Sequence, residues 1–450
     1  MREGALTVSS EVKRDSAYAH QFSLYNQLNF QITLGTPMVL YAKSLGASST
    51  TIGIVAALAP LLTVLQLPTA YFIPKIGYKQ FVLLGWFSRT LTVFSFALLP
   101  LVTAFDNSTK ISLMLMGLFI FNVLRGISTG AWLPWLTSLI PEERRGHFLR
   151  KDQTYVQIGG LLALALSSVV LWSSGKPGHF SFLFFLSACA ATLSLFFIRL
   201  VPDVEVGDQV RTSSQPVPWG AMLKYPPFTK LLIFTVVYNW VIGGLGAFIV
   251  GFLQNAGGFS DGMILGCNMF AFVGAAITVP LVAGLMDRTG TKPMLRIALV
   301  CYFWTVICWL LISSGLLNTT AVMVVLIYLI LGVAGGLFGI ANTRIAMDTM
   351  PLMGRNHFFA LFTVFTSVSL GLAPICWGIF LDSVGHAQFQ LGPFHVNRYS
   401  LYFLMLTVLV AVTFVLANPL VEKKGEPLSL AVRDAVIYAR LRLFARLLNR

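Results

Sequence analysis

The chain has 450 residues, 56% of them hydrophobic and 11% charged, with a mean hydropathy of +0.78 and a formal net charge of +14. A soluble globular protein carries about 25% charged residues, so this composition excludes a soluble enzyme, a disordered chain and a disulfide-built secreted domain. What remains is an all-α polytopic membrane protein, and the positive balance reads as basic loops held on the cytoplasmic side rather than as a nucleic-acid footprint.

The first 19 residues are polar and of mixed charge, without the charged, apolar and small-residue regions of a cleaved signal peptide, and read as a cytoplasmic tail. A helix needs about 20 apolar residues to cross the hydrocarbon core. Apolar runs of that length recur at 20–42, 49–74, 80–102, 111–139, 152–174 and 179–200. These six predicted spans make a first bundle over 20–200. Residues 201–227 form the longest polar stretch between spans, with Pro202, Pro216, Pro218, Pro226 and Pro227, and read as a cytoplasmic linker. Six more spans follow at 228–254, 259–286, 293–315, 319–347, 356–383 and 398–419, making a second bundle over 228–419. In the tail, 420–450, Leu430, Ile437, Leu441, Phe444 and Leu448 share one helical stripe, with Arg442, Arg446 and Arg450 off it. That pattern suits an interfacial helix on anionic lipid, or a frayed basic tail.

With the N-terminus cytoplasmic, 26 of the 31 Lys and Arg fall on the cytoplasmic side, Arg89 being counted with the second loop. Lys43, Lys110, Lys176 and Arg398 fall outside, and Arg125 lies within a span. This asymmetry sets both termini and the linker in the cytoplasm of a cell with a plasma membrane, a bacterial inner membrane if the source is bacterial. The five cysteines all sit in apolar runs without metal-ligand spacing and read as packing residues.

The two bundles repeat each other. Tyr25-Asn26 recurs as Tyr238-Asn239, and Lys75-x-Gly77-x-Lys79 as Arg288-x-Gly290-x-Lys292, both at an offset of 213. Pro141-x-x-x-Arg145-x-His147-Phe148 recurs as Pro351-x-x-x-Arg355-x-His357-Phe358 at an offset of 210. Parallel repeats of six spans place a solute path along their shared axis near the midplane, where the halves can rock against one another.

On these features, and on Gly284-Leu-Met-Asp287-Arg288-Thr-Gly290-Thr-Lys292-Pro293, the chain resembles the major facilitator superfamily along its whole length. Ala283 stands at the motif's first glycine, and the first-half copy, Ala70 to Lys79, carries Pro74 in place of the acid. Ala131-Trp132-Leu-Pro134-Trp135, followed by Pro141-Glu-Glu-Arg-Arg145-Gly146, is also similar to bacterial members. The resemblance implies the twelve-helix fold of two six-helix bundles and a monomeric secondary active transporter moving a small organic solute by rocker-switch alternating access, coupled to an ion. Uniport or exchange of an organic anion, or a non-transporting receptor or scaffold on the same fold, are the other readings. Gly284, Asp287, Arg288, Gly290 and Lys292 become gating residues, with Asp287 as a charged latch that holds one conformation. A short loop retained only by its positive charge is the plainer account.

Charges inside spans are rare and costly. An unpaired Arg at the centre costs at least ~2.5 kcal/mol on insertion scales, so Arg125, about 16 residues before Pro141, faces water or a dense polar cluster. It either binds solute through its planar fork or braces neighbouring spans. The other candidates for the path are Tyr25, Asn26, Asn29 and Gln31 in span 1, Gln153 and Gln157 in span 5, Tyr238, Asn239 and Trp240 in span 7, Asn268 in span 8 and Asn342 in span 10. Each amide equally suits an interhelical hydrogen bond. Arg344 and Asp348, four residues apart near the end of span 10, are expected to pair as an inner gate. Gly332, Gly335, Gly336 and Gly339 form a small-residue face for close packing or for a bend. None of the 17 acids falls in the middle of a span, and no nucleotide-binding, nucleophile or metal motif is present, so no cofactor is expected.

Overall fold

The computed structural model describes residues 2–69, 72–140, 142–172, 176–204, 219–255, 258–350, 355–385 and 388–420. The expected amphipathic helix of the C-terminal tail lies outside them, as does most of the linker. Span 1 comes in two pieces, Arg2–Thr33 and Thr36–Ser44. The break has a local cause: Pro37, in the first turn of the second piece, has no N–H to give and crowds the carbonyl four residues back. The segment expected as an N-terminal tail is not separate; residues 2–19 run straight into span 1 as one helix.

Span 2 is Ser49–Leu62, prolonged by a 3-10 turn, Thr63–Leu65, and by Gln66–Thr69. Spans 3 to 6 are Tyr78–Leu98, Asn107–Thr129, Glu142–Val170 and Pro177–Leu200. Span 4 is shorter than expected, because the chain leaves the helix at Gly130 and a separate helix, Trp132–Leu139, follows. Span 7 is broken like span 1, into Pro226–Ile242 and Leu245–Asn255, around Gly243 and Gly244. Spans 8 to 12 are Asp261–Thr289, Lys292–Ser313, Ala321–Thr349, Arg355–Val384 and Arg398–Leu416. Among the described residues, eleven helices are long and apolar enough to cross a membrane. Span 1, interrupted and rich in amides and hydroxyls, completes the twelve. An antiparallel hairpin, Phe389–Leu391 with Phe394–Val396, stands between spans 11 and 12, where no element is predicted.

The repeat extends into the backbone. Gly77 and Gly290 both adopt positive φ, +89° and +85°, which only glycine takes without strain. Gly46 and Gly258 do the same where spans 2 and 8 begin. Ser48 and Ser260 then cap those two helices, accepting from the backbone N–H three residues on. Asp106 and Thr320 cap spans 4 and 10 in the same way.

Within the first half, span 1 packs on spans 5 and 6, and span 3 on spans 4 and 6. Within the second, span 7 packs on spans 11 and 12, span 8 on span 10, and span 9 on spans 10 and 12. The halves meet along two seams, span 2 with span 11 and span 5 with span 8. Small residues line both. A Cβ on Gly53 would lie 2.2 Å from the Pro374 carbonyl oxygen and one on Gly378 2.5 Å from that of Ser49. Across the other seam, a Cβ on Gly262 would lie 2.7 Å from the Ser168 carbonyl oxygen, and one on Gly160 would meet the Phe272 ring at 2.4 Å.

Candidate functional site

Span 1 presents Asn26, Asn29, Phe30 and Thr33 along one face, at the i, i+3, i+4, i+7 spacing of a helical stripe. Span 4 turns Asn122 and Arg125, three residues apart, toward the same region. Arg125 Nε donates to Asn122 Oδ1 at 3.2 Å, and its Nη2 donates to the Ala59 carbonyl oxygen at 2.6 Å and to Thr63 Oγ1 at 3.1 Å. The expected mid-membrane arginine therefore finds a dense polar cluster, on span 2, while staying only half-buried.

A second arginine joins it. Arg89, expected with the basic residues of the second loop, is inside span 3 and fully buried. Its Nη2 donates to Asn26 Oδ1 at 2.5 Å. Its guanidinium carbon lies 3.8 Å from the centroid of Trp86, 4.9 Å from Phe30 and 5.9 Å from Phe121. The Arg125 guanidinium lies 5.8 Å from the same Phe30 ring. Neither arginine has a carboxylate partner among the described residues; on this half Asp152 lies instead 3.5 Å from His20 Nδ1. The placement arithmetic applied to Arg125 would have found Arg89 too, since it lies nine residues inside the span expected at 80–102.

The remaining candidates divide. Asn29 is buried and accepts from Thr33 Oγ1 and Ser187 Oγ, tying span 1 to span 6. Tyr25 stacks on Phe197 of span 6 at 5.6 Å. Tyr238, its counterpart, is buried inside the second half, where its ring stacks on Phe338 and its hydroxyl donates to Tyr302 at 2.9 Å. Both rings thus pack within their own halves, Tyr25 on span 6 and Tyr238 on spans 9 and 10. Asn239 Nδ2 donates to Ser369 Oγ at 2.8 Å and to the Thr366 carbonyl at 3.2 Å, joining spans 7 and 11. The Trp240 carbonyl accepts from Trp377 Nε1 at 2.8 Å. Gln157 and Asn342 are half-buried, each with an amide oxygen buried and without a hydrogen-bond partner among the described residues. Asn268 Nδ2 reaches across to Thr36 Oγ1 at 2.6 Å.

Of the residues expected to gate, the side chains of Asp287 and Arg288 lie outside the described residues, and Gly284 sits within the span 8 helix. Gly290 ends that helix, and Lys292 Nζ donates to the Asn418 carbonyl beyond span 12 at 3.1 Å, where Arg296 also reaches Asn418 Oδ1. Arg344 and Asp348 do not pair. Arg344 is held in other contacts and Asp348 is exposed. Acid placed C-terminal to base at i,i+4 is the weaker order, and the carboxylate faces the negative end of its own helix.

A set of contacts not foreseen in the sequence joins the two halves at the end of the molecule away from Arg2. Asp382, at the end of span 11, accepts from the backbone N–H groups of Ser49 and Thr50, at 3.0 and 2.7 Å, and from Thr50 Oγ1 at 2.7 Å. These are the first turn of span 2, where a carboxylate meets both free donors and the positive helix end. At the same end Lys43 Nζ donates to the Gly251 carbonyl at 3.1 Å and Ser168 Oγ to the Gly262 carbonyl at 2.7 Å.

Two bundles of six membrane spans, related by a repeat, thus meet along two seams with polar side chains in their interior. A family model described as Major Facilitator Superfamily matches residues 23–374, and the chain belongs to that superfamily. Its fold is similar to solved transporters of low sequence identity. A crystal structure of a mutant of the nucleoside transporter NupG aligns with a TM-score of 0.71 at 13% identity, over 90% of this chain and 98% of that one. The crystal structure of a D-xylose-proton symporter aligns at 0.69 and 11%, over 92% and 98%. The xylose transporter XylE from E. coli, in an inward open conformation, aligns at 0.67 and 13%, over 94% and 98%. A search of curated proteins found no match.

Proposed function

We propose that this protein is a secondary active transporter that carries a small organic solute across the plasma membrane by alternating access of its two halves, with both termini cytoplasmic. The observation that carries this reading is the set of contacts between the halves. Asp382, Lys43, Ser168 and Asn268 all join one half to the other at the end away from Arg2. That end is bolted by hydrogen bonds and by helix contacts too close for any Cβ, and a solute crosses only if the bolts release. The superfamily membership and the transporters of similar fold support the same reading.

Ion coupling belongs to this proposal. A second reading, uniport or exchange of an organic anion, is favoured by one feature: two arginines lie within the spans, Arg89 buried and Arg125 half-buried, whereas none of the 17 acids falls in the middle of one. Flux into proteoliposomes tests both. Saturable uptake driven by an imposed proton or sodium gradient is expected for the coupled transporter. Counterflow indifferent to either gradient would replace it with exchange, and the lack of saturable flux for any solute in a broad panel would defeat transport altogether.

A further inference from the structure

We infer that Arg89 and Trp86, with Arg125 at the approach, form the site for a carboxylate group, and that the solute is an organic monocarboxylate with an apolar or aromatic body. The inference rests on the transporter reading above and names its substrate class. Arg89 Nη1 and Trp86 Nε1 are both buried and have no hydrogen-bond partner among the described residues. Both belong to one stack, with the guanidinium 3.8 Å from the indole centroid. Both are donors whatever the protonation or rotamer, since guanidinium and indole cannot accept. Leaving such groups unpaired in a dry interior is costly, and two guanidiniums facing one Phe30 ring repel each other. A ligand group that only accepts and carries negative charge answers both problems, and an ionised carboxylate does so with two oxygens for two donors. Phosphate fits less well, because its further oxygens would meet the Phe30 and Phe121 rings, which offer no donor. The same rings suit an apolar body beside the charge.

Access is gated. Arg89 and Trp86 are 1% and 3% exposed, whereas Arg125 and Phe30 are only half-buried. Arg125 has Nη1 free of any described bond, its Nε and Nη2 being committed. The anion meets Arg125 first and reaches the Arg89–Trp86 stack as the Phe30 ring turns aside.

The test uses the full-length protein in detergent, with benzoate as probe and benzamide and inorganic phosphate as controls at matched ionic strength. Benzoate is expected to raise the melting temperature saturably, and benzamide and phosphate to leave it unchanged. Arg89→Gln should weaken benzoate binding at least tenfold with no fall in the melting temperature of the unliganded protein, since one of two repelling cations is gone. Trp86→Phe keeps the stack and removes one N–H; it should weaken benzoate several-fold, and it carries the test if Arg89→Gln does not fold. No response to benzoate, an equal response to benzamide, a response to phosphate alone, or wild-type benzoate affinity in both variants overturns the proposal. Counterflow of labelled benzoate separates the two levels of inference. Binding without flux keeps the site and defeats transport, whereas saturable flux of a neutral solute without benzoate binding keeps transport and defeats the site.

Discussion

Asn26 and Asn239 occupy equivalent places in the repeat and hold different things. Asn26 is the acceptor that keeps Arg89 Nη2 paired, and Asn239 is a donor that joins span 7 to span 11. Their alanine variants should therefore differ. Asn239→Ala loses two interhelical bonds of ~0.6 kcal/mol each, so it should destabilise the protein by about 1 kcal/mol and leave solute affinity intact. Asn26→Ala leaves a buried guanidinium short of an acceptor, a loss of roughly 1–3 kcal/mol, and should alter solute affinity as well. Unfolding in mild detergent beside a binding constant checks the pair, and equal effects of the two variants on both readouts would contradict the assignment. At this scale the sequence was half legible. The repeated Tyr-Asn pair fixes where two backbones lie, but a side chain's partner comes from another span, and nothing near Tyr238 in sequence points to Tyr302 or Phe338. Arg125 was legible because mid-span charge is rare. Arg89 was equally rare and was hidden only by being grouped with the basic loop beside it.

The helices were largely legible, because length and hydropathy alone decide whether a segment spans a bilayer. What was not legible was their interruption: Pro37 and the Gly243–Gly244 pair break spans 1 and 7 without lowering their apolar content. The glycine face of span 10, which suited either close packing or a bend, resolves into contact with span 8. A Cβ on Gly332 would lie 1.9 Å from the Ala271 carbonyl oxygen, backbone against backbone, whereas one on Gly339 would meet nothing within 4 Å. Gly332→Ala must push spans 8 and 10 apart and should cost ~1–3 kcal/mol, the usual penalty of overpacking. Gly339→Ala should be neutral or slightly stabilising in a helix. Melting temperatures of the two variants decide it, and a tolerated Gly332→Ala would mean the helices separate more easily than their spacing implies.

For the whole molecule, the question is how firmly one end is shut. Asp382 is exposed, so its bonds to the first turn of span 2 compete with water, and a carboxylate at a helix N-terminus contributes about 0.3–1 kcal/mol. Asp382→Asn should therefore shift the population of open molecules by up to about fivefold without unfolding them, since a factor of ten corresponds to 1.4 kcal/mol. Labelling of a cysteine placed at Thr50 by an impermeant reagent measures the opening. An unchanged labelling rate would show that the helix seams, and not the carboxylate, keep this end closed.

The two seams carry a consequence of their own. Span 11 is the repeat of span 5, and span 8 is the repeat of span 2, so the contact of span 2 with span 11 and that of span 8 with span 5 join the same two surfaces. Gly53 on the first seam corresponds to Gly266 on the second, and Gly371 to Gly160, to within a residue. Such a pairing, in which a patch meets its partner's complement twice about a two-fold axis, is the isologous interface of a symmetric dimer. Each half of this chain thus carries both faces of the joint. The geometry is that of a two-fold dimer of six-span units carried on one chain, and at the offset of 213 the places of Arg89 and Arg125 in the first unit are taken by Tyr302 and Phe338 in the second.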